Sequence, residues 1–286
     1  MQKIFTYQST NIAYTLQGSG TPVVLLHGFG EDSRIWDEQV LFLQKHCTLI
    51  VPDLPGSGKS GLLSLETGDW SLEYGKSTPD SRLQSPVSIV SIDDYADVIH
   101  ALLQHENIAS CILLGHSMGG YIVLAFAEKY ASMLTGFGLV HSTAFADSEE
   151  KKQVREKAIA LIEEYGPHPF LKNTIPNLFG KLFKGVHPEK MDLLIEQGKA
   201  FSKEALQQYY RAMMHRPDRG HVLKSNYLPV LFVIGTEDIA APMEDVLKQV
   251  SLPNISYIYV LQGTGHMGMW ESAEKLNQLL LVFINS

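Results

Sequence analysis

The sequence predicts an α/β protein: a mostly parallel, doubly wound sheet of about eight strands, wrapped by helices, with a helical segment inserted late in the chain. Three observations predict it. Short continuous apolar runs, among them VVLL (23–26), CILL (111–114) and VLFVI (230–234), recur along the 286 residues. Such runs are what strands buried on both faces of a parallel sheet require. Amphipathic stretches of helical length alternate with them, which is the pattern of a sheet covered by helices. Finally, residues 142–226 contain helix-like stretches but no strand candidate.

The elements follow in order. Two alternating segments open the chain, KIFTYQ (3–8) and NIAYTLQ (11–17), with Thr10 and Asn11 near the turn of a hairpin. VVLL then ends in His27-Gly28, and a helix is expected over 32–45. TLIV (48–51) leads into DLPGSGKS (53–60). Residues 61–90 are polar, Ser-rich and without periodicity. A structureless stretch of that length is uncommon inside a compact domain and is often functional. A helix over 92–104, the strand CILL, a helix over 118–130 and the run FGLV (137–140) complete the first part. Helix-like stretches at 148–165, 188–199 and 203–215 fill the insertion. The strands VLFVI and ISYIYV (255–260) and a last helix over 272–283 close the chain. The expected organisation is a core of residues 1–141 and 227–286, with 142–226 as a helical cap between two core strands.

Composition excludes several classes. An apolar fraction of 45% permits a sizeable core, and the net charge of −8 offers no clustered basic face for nucleic acid or anionic membranes. No apolar run approaches the roughly 18 residues of a membrane span. The N-terminus lacks an apolar signal region, so the cytoplasm is the expected location. Cys47 and Cys111 each start a short apolar run and are expected as buried thiols rather than a disulfide. No clustered Cys and His pattern has metal-ligand spacing, and no cofactor is expected. The sequence carries no signal for an oligomeric state.

Two short motifs compete for the chemistry. The tail of DLPGSGKS looks like a phosphate-binding loop, but G-x-x-x-x-G-K-S needs glycine where Asp53 stands, and a helix must begin at the lysine. Instead Gly61 and the Ser-rich stretch follow. The stronger motif is Gly115-His116-Ser117-Met118-Gly119, a G-x-S-x-G between an apolar strand and a helix. A serine hydroxyl is a poor nucleophile unless it is held exposed beside a base. A sharp strand-to-helix turn does this for Ser117, with Gly115 and Gly119 leaving room for the crowded backbone.

On these residues the chain resembles the α/β-hydrolase superfamily, over nearly all of its length outside the cap and the 61–90 stretch. Four further segments carry the resemblance: His27-Gly28-Phe29-Gly30, DLPGSGKS, Gly235-Thr236-Glu237-Asp238 and Gly265-His266-Met267-Gly268. The resemblance implies an oxyanion hole from the amides of Phe29 and Met118, and a structural turn for DLPGSGKS. It also implies a triad of Ser117, Asp238 and His266, whose chain order is that of the hydrolases. Glu237 and, more distantly, Asp147 are alternative acids. His116 is expected to point back into the structure, His27 to stabilise the oxyanion loop, and His141 to line the pocket. Phe170, Phe179, Phe183, Tyr209, Tyr210, Met213 and Met214 are candidates for an apolar substrate wall in the cap, with packing inside the cap as their other role.

The expected function is a serine hydrolase acting on a small-molecule ester or lactone through an acyl-enzyme. A carbon–carbon bond hydrolase or an acyltransferase uses the same triad. A ligand receptor of the same fold, with slow turnover, is the alternative of another class. The 61–90 stretch leaves the sheet where the nucleophile and oxyanion loops emerge, so it is expected at the active-site mouth or at an oligomer contact.

Overall fold

The computed structural model describes residues 2–64 and 90–286. The polar stretch expected at the active-site mouth therefore lies, but for its ends, outside the described residues. Eight strands form one sheet: β1 (Gln2–Tyr7), β2 (Thr10–Gly18), β3 (Pro22–Leu26), β4 (Thr48–Pro52), β5 (Cys111–His116), β6 (Leu134–Val140), β7 (Val230–Gly235) and β8 (Ser256–Leu261). Their spatial order is β1-β2-β4-β3-β5-β6-β7-β8. The β1–β2 and β2–β4 pairs are antiparallel and the other pairs are parallel.

Burial follows position in the sheet. The central strands β3, β5 and β7 are buried along almost their whole length, which is why they read as unbroken apolar runs. The edge strand β1 alternates between exposed and half-buried residues. Fully buried Phe137 and Phe232 lie on the adjacent strands β6 and β7. Burying a side chain of that kind contributes about 1.5–3 kcal/mol.

The strand order reverses between β3 and β5, whose following segments run to opposite sides, so the loops after these two strands leave the sheet side by side. Such a switch point at the carboxyl ends of parallel strands is where open α/β sheets bind ligands.

Twelve helices accompany the sheet among the described residues. In the first part are α1 (Asp37–Leu43), α2 (Ile92–His105) and α3 (Met118–Lys129). Helix α2 begins with a capping box: Ser91 Oγ accepts from the Asp94 amide, and the Asp94 carboxylate accepts from the Ser91 amide. Helix α3 is buried from Met118 to Ala127, as its unbroken apolar sequence requires. One expected helix differs. The 32–45 stretch is a 3-10 turn at Ser33–Trp36 followed by α1, because the Asp32 side chain caps the Arg34 amide and closes a tighter first turn.

Between β6 and β7 run only helices: α4 (Glu149–Tyr165), α5 (Pro167–Thr174), α6 (Lys181–Val186), α7 (Pro188–Gln197), α8 (Lys203–Met214) and α9 (Gly220–Lys224). Helix α4 packs along α8. Tyr209 of α8 reaches the loop after β4, its hydroxyl donating to the Pro55 carbonyl at 2.8 Å. After β7 come α10 (Met243–Leu247), α11 (Gly268–Glu271) and α12 (Ala273–Ile284). No helix among the described residues is long and apolar enough to cross a membrane. Cys47 and Cys111 are free and buried, and burial pushes their thiols up to about 11 and about 12.

Candidate active site

Ser117 stands between β5 and α3 with φ +52° and ψ −114°, a conformation that L-residues rarely adopt. A backbone outlier of this kind costs about 1–3 kcal/mol and persists only where its surroundings impose it. Here the Ser117 amide donates to the Val140 carbonyl at 3.0 Å, and the Ser117 carbonyl accepts from Ser142 Oγ at 2.7 Å. Both neighbouring glycines are obligatory. A Cβ on Gly115 would lie 2.2 Å from the Gly119 backbone, and one on Gly119 would lie 2.7 Å from the carbonyls of Leu26 and His27.

Asp238 and His266 come from the loops after β7 and β8. His266 Nδ1 lies 2.8 Å from Asp238 Oδ2 and 3.0 Å from Oδ1. The amides of Ala240 and Ala241 fix Oδ1, each at 2.9 Å. Burial alone would push the Asp238 carboxyl up, but the charge of His266 and hydrogen bonds from His141 and His266 hold it well below the usual carboxylate range. Burial works against protonation of His266, and the Asp238 carboxylate outweighs it, so His266 titrates above the ordinary imidazole value. With Nδ1–H donated to Asp238, Nε2 is left as the basic nitrogen. Among the described residues no hydrogen bond joins Ser117 Oγ to that ring, and such contacts are often long before substrate binds.

The alternative acids are engaged elsewhere. Glu237 accepts from the Lys181 amide at 2.7 Å. Asp147 pairs with Arg155 at 2.6 Å and Arg216 at 2.9 Å.

The loop after β3 passes beside Ser117: a Cβ on Gly28 would lie 3.0 Å from Ser117 Cβ. The amides of Phe29 and Met118 donate to no acceptor among the described residues. Met118 opens α3, where the first amides have no partner within the helix. His27 ties this loop to DLPGSGKS. Its Nδ1 lies 2.8 Å from the Gly28 carbonyl, and its Nε2 accepts from the Leu54 amide at 2.9 Å.

Within that turn, Asp53 Oδ2 accepts from the Lys59 amide and Oδ1 from the Ser33 amide. A Cβ on Gly58 would lie 2.3 Å from the same carboxylate. The Lys59 amide, which a phosphate would need, is thus taken by the chain's own carboxylate.

Three residues that sequence reasoning did not single out, or placed differently, complete the site. His141, expected to line the pocket, is instead buried, has φ +52°, and sets Nδ1 3.1 Å from Asp238 Oδ2. Burial pulls its pKa below the ordinary value, so it donates to Asp238 as a neutral ring. Glu271 accepts from the amides of Gly265 and Met267, on either side of His266, and from that of Gly180 between β6 and α6. Glu31 accepts from the Gly28 amide and faces His116. No short motif marks these three; the one local signal is an acid three residues beyond His27-Gly28. His141, Asp238 and His266 offer ligand atoms within 4.8 Å of one another. Both Nδ1–H groups already point at the carboxylate, and a metal would have to displace those protons.

Aromatic side chains from the helical segment cover Phe29 in the loop after β3. Tyr210 stacks on Phe29 with ring centroids 4.2 Å apart, and Tyr209 and Phe170 meet the same ring edge-on. Phe179 and Phe183 stack on each other instead, near Trp270. His266 is bonded to this segment through its amide, which donates to the Leu178 carbonyl at 2.6 Å.

A model of the alpha/beta hydrolase family matches residues 23–279. The acetyltransferase component of an acetoin-cleaving system from Pseudomonas putida is 28% identical over 267 residues; the match takes in 93% of this chain but spans only 64% of that relative. A 2-hydroxy-6-oxononadienedioate/2-hydroxy-6-oxononatrienedioate hydrolase from Paraburkholderia phymatum is 27% identical over 285 residues, with 96% of this chain and 90% of the relative covered. Among solved structures, a thermophilic esterase from Thermogutta terrifontis superposes with a TM-score of 0.86 at 26% identity, covering 100% of this chain and 98% of that one.

Proposed function

The chain belongs to the alpha/beta hydrolase family, and from that premise we propose that it is a serine hydrolase cleaving a small ester or lactone with Ser117, His266 and Asp238. The observation that carries the reading is the strained Ser117 turn together with a buried histidine whose Nδ1 is bound to an acid held well below the usual carboxylate range. His266 Nε2 takes the proton as Ser117 Oγ attacks the substrate carbonyl. The tetrahedral oxyanion is held by the Phe29 and Met118 amides, each worth a factor of about 10²–10³ in rate. Collapse breaks the ester C–O bond, and His266 returns its proton to the leaving alkoxide. Water then attacks the acyl-enzyme with His266 again as base, and Asp238 keeps the ring in its productive tautomer throughout.

We read residues 142–226 as a cap whose aromatic underside roofs the oxyanion loop. Enclosure strengthens electrostatic stabilisation by excluding water, and a closed roof suits compact acyl groups. The Thermogutta esterase favours the ester reading. The Paraburkholderia hydrolase favours a second one, carbon–carbon bond cleavage by the same residues.

The test is a screen of nitrophenyl esters, lactones and vinylogous diketones, with mass detection of an acyl adduct. Ser117→Ala is expected to abolish turnover with folding intact, and a fluorophosphonate is expected to label Ser117 alone. Labelling of a different serine would sink the assignment.

A further inference from the structure

Behind the nucleophile lies a second pairing of an acid with a histidine. Glu31 and His116 are 3% and 0% exposed. Glu31 Oε2 takes the Gly28 amide at 2.9 Å and lies 2.9 Å from His116 Nδ1. On the other side of the ring, His116 Nε2 lies 2.9 Å from the His266 carbonyl oxygen. Both ring nitrogens therefore face acceptors, a carboxylate and a carbonyl. A neutral imidazole has one N–H and can satisfy only one of them.

Three chain segments meet on this pair: the loop after β3 at Gly28, strand β5 at His116 itself, and the loop after β8 at His266. We propose that Glu31 and His116 form a positioning pair, an ionised carboxylate against a doubly protonated imidazole, that holds the oxyanion loop and the base loop in one register around Ser117. The inference rests on the roles given above to Ser117 and His266. The Glu31 carboxyl agrees with it: burial would push it up, but the charge and hydrogen bond of His116 and the Gly28 amide outweigh burial and lower it. Nor is the pair explained by stability alone. A buried ion pair commonly contributes no more than well-packed apolar groups of the same volume would.

The chemistry of Glu31→Gln follows from donor counting. If the amide oxygen takes the place of Oε2, it accepts from Gly28 and from His116 Nδ1. A neutral ring donating Nδ1–H to that oxygen leaves Nε2 facing the His266 carbonyl with no hydrogen between them. If the amide nitrogen takes that place, it opposes the Gly28 N–H. No rotamer or neutral tautomer keeps all three contacts, so one of the two loops is released.

The experiment has two arms on the full chain. In the first, nitrogen-15 spectra of the wild-type protein near neutral pH, with His116 assigned by comparison with His116→Asn, are expected to show both ring nitrogens protonated. A single bare nitrogen on His116 would overturn the proposal, and this arm needs no substrate. In the second, Glu31→Gln is expected to lower kcat roughly 10- to 100-fold, as displacement of catalytic groups by a fraction of an ångström does, with KM little changed and the protein still folded. A wild-type kcat in that variant would likewise overturn it. Fluorophosphonate labelling of Ser117 in the wild type, run alongside, separates failure of the hydrolase reading from failure of the positioning pair.

Discussion

Replacing Asp238 by asparagine perturbs two histidines at once. The Ala240 and Ala241 amides hold Oδ1, so the asparagine oxygen takes that place and its NH₂ takes the place of Oδ2. That nitrogen then faces Nδ1 of both His266 and His141, which lie 2.8 and 3.1 Å from Oδ2. Two donors cannot face each other, so the hydrogen of each ring is driven to Nε2; the contact left to His266 Nδ1–H is the longer one, 3.0 Å to an Oδ1 that already accepts two amides. For His266 this removes the basic nitrogen that the proposed mechanism requires. A tautomer reversal of this kind lowers kcat about 10⁴-fold. For His141 it creates a buried N–H where Nε2 has no partner among the described residues and lies 2.3 Å from the position of a Cβ on Gly268. A buried unsatisfied donor costs about 1–3 kcal/mol, so a fall in thermal stability of that size should accompany the kinetic loss. Initial rates on a nitrophenyl ester and a melting curve measure both. An Asp238→Asn variant within tenfold of the wild-type kcat would show that another group orients His266, and the shared-aspartate reasoning would be refuted.

Two further outcomes follow from the geometry. Asp238, Glu31 and Glu271 all favour the protonated form of His266 against the effect of burial. Because the free base is the active form, kcat/KM should rise with pH through a midpoint above the ordinary imidazole value of about 6.5; a midpoint at or below it would contradict the site electrostatics. Tyr210→Ala removes the ring stacked on Phe29 and should raise activity on octanoate relative to acetate esters about tenfold, the scale on which pocket-filling groups discriminate. An unchanged chain-length profile would reduce Tyr210 to packing within the helical segment.

The strands were legible because burial on both faces demands unbroken apolar runs, and CILL and VLFVI satisfy it in four or five residues. The short helices α5, α6 and α9, of 8, 6 and 5 residues, were not. They complete too few turns to show a period, and α5 opens Pro-His-Pro, a pairing that locally reads as a break. Ser117 was legible because its strained turn needs glycine on either side within a few residues. Glu31 and His141 were not, because their partners lie 85 and 97 positions away. Only the strand order brings such partners together. His116 and His141 looked alike in the sequence, as histidines at strand ends. The structure gives one to the carboxylate of Glu31 and the other to the acid set beside His266.

The DLPGSGKS turn has a consequence for recognition. Its Lys59 amide faces an anion, as an amide of a phosphate-binding nest does, but the anion is the Asp53 side chain six residues upstream, packed where a Cβ on Gly58 would sit. A solute competing for that amide would have to displace a group tethered in place. The turn carries its own acceptor, and its resemblance to a nucleotide motif stops at the sequence Gly58-Lys59-Ser60. Aspartate where the nucleotide motif has its first glycine, and no helix opening at the lysine, make this loop a rivet: Asp53 ties it to Ser33 after β3, and Ser60 Oγ ties it to Ala13 of β2.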